Sequence, residues 1–254
     1  MNDITKALKM RGFFIVEEDD HLRFGSGSHP NDEKDLKQML EKLDIPATFY
    51  DHKIIILSEN FDDKKYQEII WYPAENHEIG GNGGWRSWKY FIKGIYGPKV
   101  RTITLESGLA LFVKSLSAAG ITTISSCDGH GKKSPCISFL GHYNACWFRV
   151  LYKKLLNNFN LNYNWEIEHF AGADPYLIAQ TRTGKWELQL VLEDTYRMAC
   201  FLLQYGQQIS EVKRELFGTN RNSTRKLVKD MSVEELTQWM EQKYLEKTFS
   251  KGGL

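Results

Sequence analysis

The 254-residue chain has no apolar run that approaches the roughly 20 residues of a membrane-spanning helix. Its first residues, MNDITKALKMRGFF, also lack the long apolar core of a secretory signal peptide. The sequence therefore predicts a cytoplasmic protein without a membrane partner. Because thiols stay reduced in that compartment, the 4 cysteines favour metal binding or chemistry over disulfide bonds.

The chain also lacks an excess of charge of either sign, since 33 basic and 32 acidic residues leave a net charge of +1. This excludes a general electrostatic attraction to nucleic acid or to a membrane, and any such partner must be held by a local patch. Neither GxxxxGK[ST] nor a GxGxxG motif after a predicted strand is present, which argues against a standard phosphate-binding loop.

What the chain does contain is enough apolar sequence, 42% of its residues, to fill a substantial core. Its periodicity divides it into four parts: a small N-terminal α/β unit (1–72), a glycine-rich linker or lid (73–98), a central α+β unit (99–193) and a helical C-terminal segment (194–254). We expect an α+β fold in which a mainly antiparallel sheet is covered by helices.

The central unit is predicted to hold several strands besides those of its cysteine-rich stretch. Alternating apolar residues indicate them at 101–105, 165–170, 176–181 and 185–192. A helix capped by Asp194 follows, and a second helix ends at Gly218. Ser232 and Glu235 are typical of a capping box at the start of a last helix.

The strongest functional signal is the stretch 121–147, ITTISSCDGHGKKSPCISFLGHYNACW, which contains three of the 4 cysteines and two of the 7 histidines. Apolar residues before Cys127 and after Cys136 predict two strands, and the glycine-rich segment between them predicts their connection. We therefore expect the two cysteines to face each other at the mouth of a hairpin. Asp128 and His130 would then lie on its loop.

This stretch contains the ligand types that zinc prefers, thiolate and imidazole. The predicted metal ligands are Cys127, His130, Cys136 and His142, with zinc as the expected cofactor. Four ligands would make a closed site, whereas three would leave a position for a water that can become a nucleophile. The spacing matches none of the common zinc signatures, and the glutamate of the zinc deaminase pattern H-x-E is missing.

The same loop also contains the parts of an activated cysteine: Cys127 as nucleophile, His130 as its base and Asp128 as the orienting group. These three are the predicted catalytic residues of a hydrolase or transferase. Alternatively, Cys127 and Cys136 form a redox pair, which requires Cα atoms within roughly 7 Å of each other. Three acids at predicted strand-to-helix junctions are candidates to join the same end of the sheet: Glu106, Glu193 and Asp194.

The segment TTISSCDG, at 122–129, resembles the Thr-Ser-Ser-Cys-x-Gly box of the methyltransferase family that acts in tRNA wybutosine synthesis. The resemblance is confined to this segment, and His130 stands where that box has arginine. No residue role is carried over from it.

A second signal lies in 79–101, where there is no acidic residue and cations alternate with aromatic rings. Cations with stacking rings are what a nucleotide or a single strand requires. The predicted substrate-binding residues come from this segment and from a basic loop near 221: Trp85, Arg86, Trp88, Lys89, Arg101, Arg221 and Arg225. The alternative is a glycine-rich connection whose aromatic residues pack on the core.

Two hypotheses follow from these signals. The first is an intracellular enzyme that acts on a nucleotide or nucleic acid through the Cys127, Asp128 and His130 loop, with zinc as a possible centre. The second is a non-enzymatic module that binds nucleic acid or protein and in which zinc is structural. Under the second hypothesis, removal of the metal unfolds the chain, because metal-binding energy is then folding energy.

Overall fold

A computed structural model describes residues 3–25, 27–58, 61–75, 86–87, 100–156, 158–169, 173–181, 183–217 and 227–250, with only the backbone at 86–87, 217 and 247–250. Helices and two antiparallel sheets make up this part of the chain, which confirms the predicted α+β class. In this part, no helix is long and apolar enough to cross a membrane.

The N-terminal part alternates helices and short strands. Its elements are α1 (Asp3–Arg11), β1 (Ile15–Glu17), β2 (Leu22–Phe24), α2 (Asp32–Lys42), β3 (Ala47–Tyr50), β4 (Lys53–Ile56) and α3 (Asp63–Ile70). The strands form one antiparallel sheet in the order β1-β2-β4-β3. Asp51 and His52 turn the β3–β4 hairpin with φ of 46° and 62°, as a two-residue hairpin turn requires.

The central part builds the second sheet. Its elements are β5 (Arg86–Ser87), a 3-10 helix (Thr102–Thr104), α4 (Ala110–Ala118), β6 (Thr123–Cys127), a 3-10 turn (Gly129–Gly131), β7 (Cys136–Phe139), α5 (Gly141–Leu151), a π-helical turn (Tyr152–Leu156), β8 (Asn164–Glu168) and β9 (Tyr176–Gln180). Its strands are all antiparallel, in the order β5-β6-β7-β9-β8. The strand predicted at 101–105 is therefore wrong, because its centre is a 3-10 helix.

The C-terminal part consists of α6 (Leu188–Phe217) and α7 (Val233–Ser250). The strand predicted at 185–192 is wrong, since α6 begins inside it, and the two predicted helices from Asp194 onward are one. The apolar alternation at the start of α6 is local, whereas the buried positions Val191, Thr195, Met198 and Leu202 repeat with the helical period over about three turns. A unit boundary at 193 would cut this helix, and the predicted division into units stays a prediction.

The capping box that begins α7 is confirmed. The Ser232 backbone N donates to Glu235 Oε2 at 2.8 Å, and the Glu235 backbone N donates to Ser232 Oγ at 3.2 Å. Each side chain thus satisfies an amide that has no partner within the helix, as the motif requires. The spacing of these two residues was sufficient to locate the start of α7.

Two apolar cores lie beneath these elements. The larger one is formed by α4, α5, α6, α7 and the five-stranded sheet, and contains the fully buried Phe112, Trp147 and Phe148. The smaller one lies among α1, α2, α3 and the four-stranded sheet. Tyr196 of α6 packs against both cores, so this helix connects them.

Candidate functional site

The candidate site lies at the end of the β6–β7 hairpin. Cys127 and Cys136 are register partners in this antiparallel pair, as the sequence predicts. Partners of this kind have Cα atoms about 4.5–5.5 Å apart, so the distance condition for the redox-pair alternative is met. Both thiols are free, and both side chains are buried.

The loop between the two strands has a strained backbone. Gly129, His130 and Gly131 have successive positive φ angles of 77°, 51° and 68°. A side chain at Gly129 would also place Cβ only 3.2 Å from the backbone N of Pro135, so glycine is required there. His130 has no such freedom, and a non-glycine residue held in the left-handed region is a feature that clusters at functional sites.

Glu106, which precedes α4, joins the hairpin. The backbone N of Asp128 donates to Glu106 Oε2 at 2.8 Å, and Asp128 Oδ1 accepts from the backbone N of His130 at 3.0 Å. These bonds fix the carboxylates and the loop relative to each other. Gly108 permits this approach, because a Cβ at that position would lie 3.0 Å from the Cβ of Asp128.

Three potential metal ligands converge here. His130 Nε2 lies 3.3 Å from Glu106 Oε1 and 3.8 Å from Cys127 Sγ, and one ligand atom from each residue lies within 4.8 Å of the other two. Ligand atoms bound to one tetrahedral zinc ion at 2.0–2.3 Å are separated by about 3.3–3.7 Å. The observed separations are close to those that a single ion would impose.

The second nitrogen of His130 is also oriented. Nδ1 lies 3.4 Å from Asp128 Oδ1, on the side of the ring away from Glu106 and Cys127. A carboxylate that holds the outer nitrogen is the usual arrangement behind a histidine that binds metal through the other nitrogen. Asp128 therefore fits a positioning role.

The electrostatics of the two thiols disfavour a free thiolate. Burial, followed by the nearby Glu106 carboxylate, raises the pKa of Cys127 to about 11. Burial, followed by Cys127, raises the pKa of Cys136 to about 12. Both thiols therefore stay protonated near neutral pH unless a cation replaces the proton, which is what a coordinated metal does.

His142 and Cys136 are not in the group of three ligands that the described residues form. Cys136 lies across the hairpin from Cys127, whereas His142 follows the opposite end of β7. The strand's three steps of about 3.3 Å separate the two ends by about 10 Å. The ring of His142 instead lies beside that of His169, with centroids 5.2 Å apart and ring planes inclined by 26°.

The structure describes only two of the predicted substrate-binding residues, Arg101 and the backbone of Arg86. Arg101 donates to Asp35 at 2.6 Å through Nε and Nη2 and to Glu75 at 3.0 Å through Nη1 and Nη2, so its guanidinium is held by two carboxylates. The backbone of Arg86 is paired with Ser126, next to Cys127. Five predicted residues lie outside the described residues: Trp85, Trp88, Lys89, Arg221 and Arg225.

The acidic residues predicted at strand-to-helix junctions differ in whether they reach the site. Glu106 joins the site, whereas the buried carboxylate of Asp194 accepts from Tyr163 N at 2.9 Å and from Trp165 Nε1 at 3.1 Å. Asp194 thus anchors β8 to α6. Sequence reasoning missed Trp186, whose carbonyl oxygen lies 3.4 Å from the Cβ position of Gly131; no motif marks it.

Comparison with known proteins finds no family model, no curated protein and no solved structure that matches this chain. Only the chemistry and geometry of the residues at the site therefore indicate what the chain does.

Proposed function

We propose that this chain is a metal-dependent hydrolase in which Glu106, Cys127 and His130 hold one divalent transition-metal ion, with zinc favoured by the donor set. The observation that carries the proposal is the convergence of the three ligand atoms within 4.8 Å. A bound zinc ion would supply a Lewis acid and an activated water.

Residues of the chain would position the metal ligands and leave the site open to substrate. Asp128 Oδ1, 3.4 Å from His130 Nδ1, would help to keep the imidazole with Nε2 directed at Glu106 and Cys127. The backbone N of Asp128 in turn fixes Glu106 through Oε2. The His130 side chain is 46% exposed, so substrate and water can reach the open side of the site.

The proposed substrate is a nucleotide or nucleic acid. Two features support an anionic substrate: Lys132 and Lys133 are exposed on the site loop, and β5 pairs with β6 immediately beside Cys127. In the sequence, β5 belongs to the acid-free, aromatic-rich stretch 79–101, and β5 itself adjoins the site strand. Lysines and stacking rings are the groups that bind phosphate and base.

The test begins with metal stoichiometry in the full chain. The protein is dialysed against zinc, and unbound zinc is then removed. Elemental analysis should find one zinc ion per chain. Glu106→Gln, Cys127→Ser and His130→Ala should each lose it, whereas the matched controls Cys136→Ser and His142→Ala should keep it. Unchanged zinc content in all three ligand variants would overturn the site.

Activity is the second arm of the test. Hydrolysis of nucleoside triphosphates and of short oligonucleotides should depend on added zinc and fall at least 100-fold in Glu106→Gln. Lys133→Ala should raise KM with little change in kcat, because it removes a contact to the anionic substrate. If a zinc-loaded protein hydrolyses none of these substrates, the metal site stands and the enzymatic function fails.

A structural zinc site is the second candidate, favoured by one observation. Cys136 is buried directly across the strand pair from Cys127 and is placed to become a fourth ligand after a small shift. Four ligands would close the site. In that case a chelator should abolish the cooperative unfolding transition, and Cys136→Ser should lose zinc as readily as Cys127→Ser does.

A further inference from the structure

A second pair of metal-ligating side chains lies away from the candidate site. His142 is in the first turn of α5, and His169 follows the end of β8. Their Nδ1 atoms are 3.2 Å apart although their ring centroids are 5.2 Å apart, so the two nitrogens lie on the facing edges of the rings. The two nitrogens are therefore close enough either to share one ion or to be joined by one hydrogen bond.

The separation of the two nitrogens suits a shared ion. Two imidazole nitrogens bound to one tetrahedral ion at 2.0–2.1 Å are about 3.3 Å apart. The same 3.2 Å also permits a direct N–H···N hydrogen bond between neutral rings. The two arrangements differ in one measurable respect, because only the first makes both rings respond to added metal.

The surroundings of the pair set its expected strength. Burial, followed by His142 and Arg149 of α5, lowers the pKa of His169, and Glu234 at the start of α7 offsets this only in part. Asp174 Oδ1 accepts from the backbone N of Gly141, one residue before His142. The surroundings of His169 therefore disfavour a positive charge, which weakens the binding of an ion there.

The outer nitrogen of His169 limits the affinity. Nε2 of His169 is buried and has no hydrogen-bond partner in the described part of the chain. Metal on Nδ1 would require a proton on Nε2, and a ligand whose outer nitrogen has no acceptor typically loses about 10–100-fold in metal affinity. The site is thus expected to be weaker than the one at Glu106, Cys127 and His130.

We propose that His142 and His169 form a second site for a late divalent transition-metal ion, bound through the two Nδ1 atoms and completed by water. The site is independent of the proposed hydrolase centre, since His142 lies beyond the opposite end of β7. Occupancy would link the start of α5 to the end of β8. His142, predicted as a zinc ligand beside Cys127, would bind metal at this second site.

The experiment uses Ni²⁺, which suits imidazole ligands and does not oxidise the thiols. Full-length Cys127→Ser protein, in which the first site is disabled, is titrated with Ni²⁺ by calorimetry at pH 7.5. One binding event is expected, weakened at least tenfold by either His142→Gln or His169→Gln. The matched control His52→Gln removes an exposed turn histidine and should leave the event unchanged.

Proton NMR supplies a readout that a purely structural role would not change. Ni²⁺ should broaden the ring CH signals of His142 and His169 together and before those of the other histidines. Binding should also weaken in acid, because protons compete with the metal for the ring nitrogens. If both glutamine variants, with folding intact by circular dichroism, bind Ni²⁺ as tightly as the parent Cys127→Ser protein does, the site is overturned and the two histidines are only a hydrogen-bonded pair.

Discussion

Two polar clusters contain residues of α4 or of the segment just before it, and the clusters differ in solvent access. At the start of the helix, Glu106 meets Cys127 and His130, and the His130 side chain is 46% exposed. Within the helix, Lys114 pairs with Asp32, and their side chains are only 2% and 0% exposed. The comparison indicates that the closed cluster stabilises the fold, while the open cluster is available for chemistry.

The closed cluster is satisfied from several elements. Asp32 accepts from Thr102 N at 2.8 Å, from His29 N at 3.0 Å and from Lys114 Nζ. The buried Arg11 of α1 donates to the carbonyl of Thr102 at 3.4 Å, and burial lowers its pKa to about 10. These bonds connect the N-terminal elements to the segment that leads into α4.

The largest expected effect comes from breaking the closed cluster. Asp32→Ala should lower the free energy of unfolding by about 3–5 kcal/mol, because it leaves the ammonium group of Lys114 buried without its counter-charge. Urea denaturation measures this. The control is the half-exposed neighbour Glu33, whose change to alanine should cost less than about 0.5 kcal/mol. Equal losses in the two variants would contradict the assignment of stability to the closed cluster.

The open cluster should contribute to the free energy of unfolding only when metal is bound. Zinc at about 100 times its Kd should stabilise the wild type by about 2.7 kcal/mol, and Cys127→Ser should lose that increment. Thermal unfolding with and without zinc measures it. Cys136→Ser should keep the increment, because the Cys136 thiol lies outside the group of three. An increment that survives in Cys127→Ser would place the ion elsewhere.

The backbone strain of the open cluster can be measured separately. His130→Gly should be more stable than His130→Ala by about 0.5–1 kcal/mol, because both remove the imidazole but only glycine adopts positive φ freely. The matched pair Asp44→Gly and Asp44→Ala, at φ of 52° after α2, should differ by a similar amount without affecting metal. Denaturant midpoints decide this, and an alanine variant as stable as the glycine variant would show that the loop is unstrained.

The smallest effect concerns the rate of thiol modification. In the metal-free protein, alkylation of Cys127 should stay slow up to about pH 9 and rise toward its pKa of about 11, since only the thiolate reacts. The sign follows from burial, which disfavours the charged form. Mass spectrometry of samples quenched across this pH range provides the curve. A midpoint near neutral pH would instead support Cys127 as an activated nucleophile.

Local patterns were sufficient for features that depend on neighbours in the chain. The pairing of Cys127 with Cys136 follows from two apolar runs joined by a short glycine-rich connection. The capping box of Ser232 and Glu235 is likewise a contact over three residues. The α+β class needed no more than the order of such elements.

Local patterns failed where a longer range decided the outcome. The alternation at 185–192 predicted a strand, but Leu188 begins a 30-residue helix whose buried face connects two cores. The partner of Arg101 also lies far away in the chain, since its guanidinium pairs with Asp35, and its predicted contact with substrate stays a prediction. Periodicity in a short window does not report which partner a side chain meets.

The sequence by itself determined that the Cys127–Asp128–His130 loop would lie on a hairpin, because hydrophobic alternation and glycine spacing act locally. Only the tertiary structure decided which residue completes it. Glu106 is brought to His130 by the packing of α4 against the sheet, and the same packing leaves His142 at the other end of β7. Contacts between elements depend on how their buried faces fit together, and that fit is a property of the whole core.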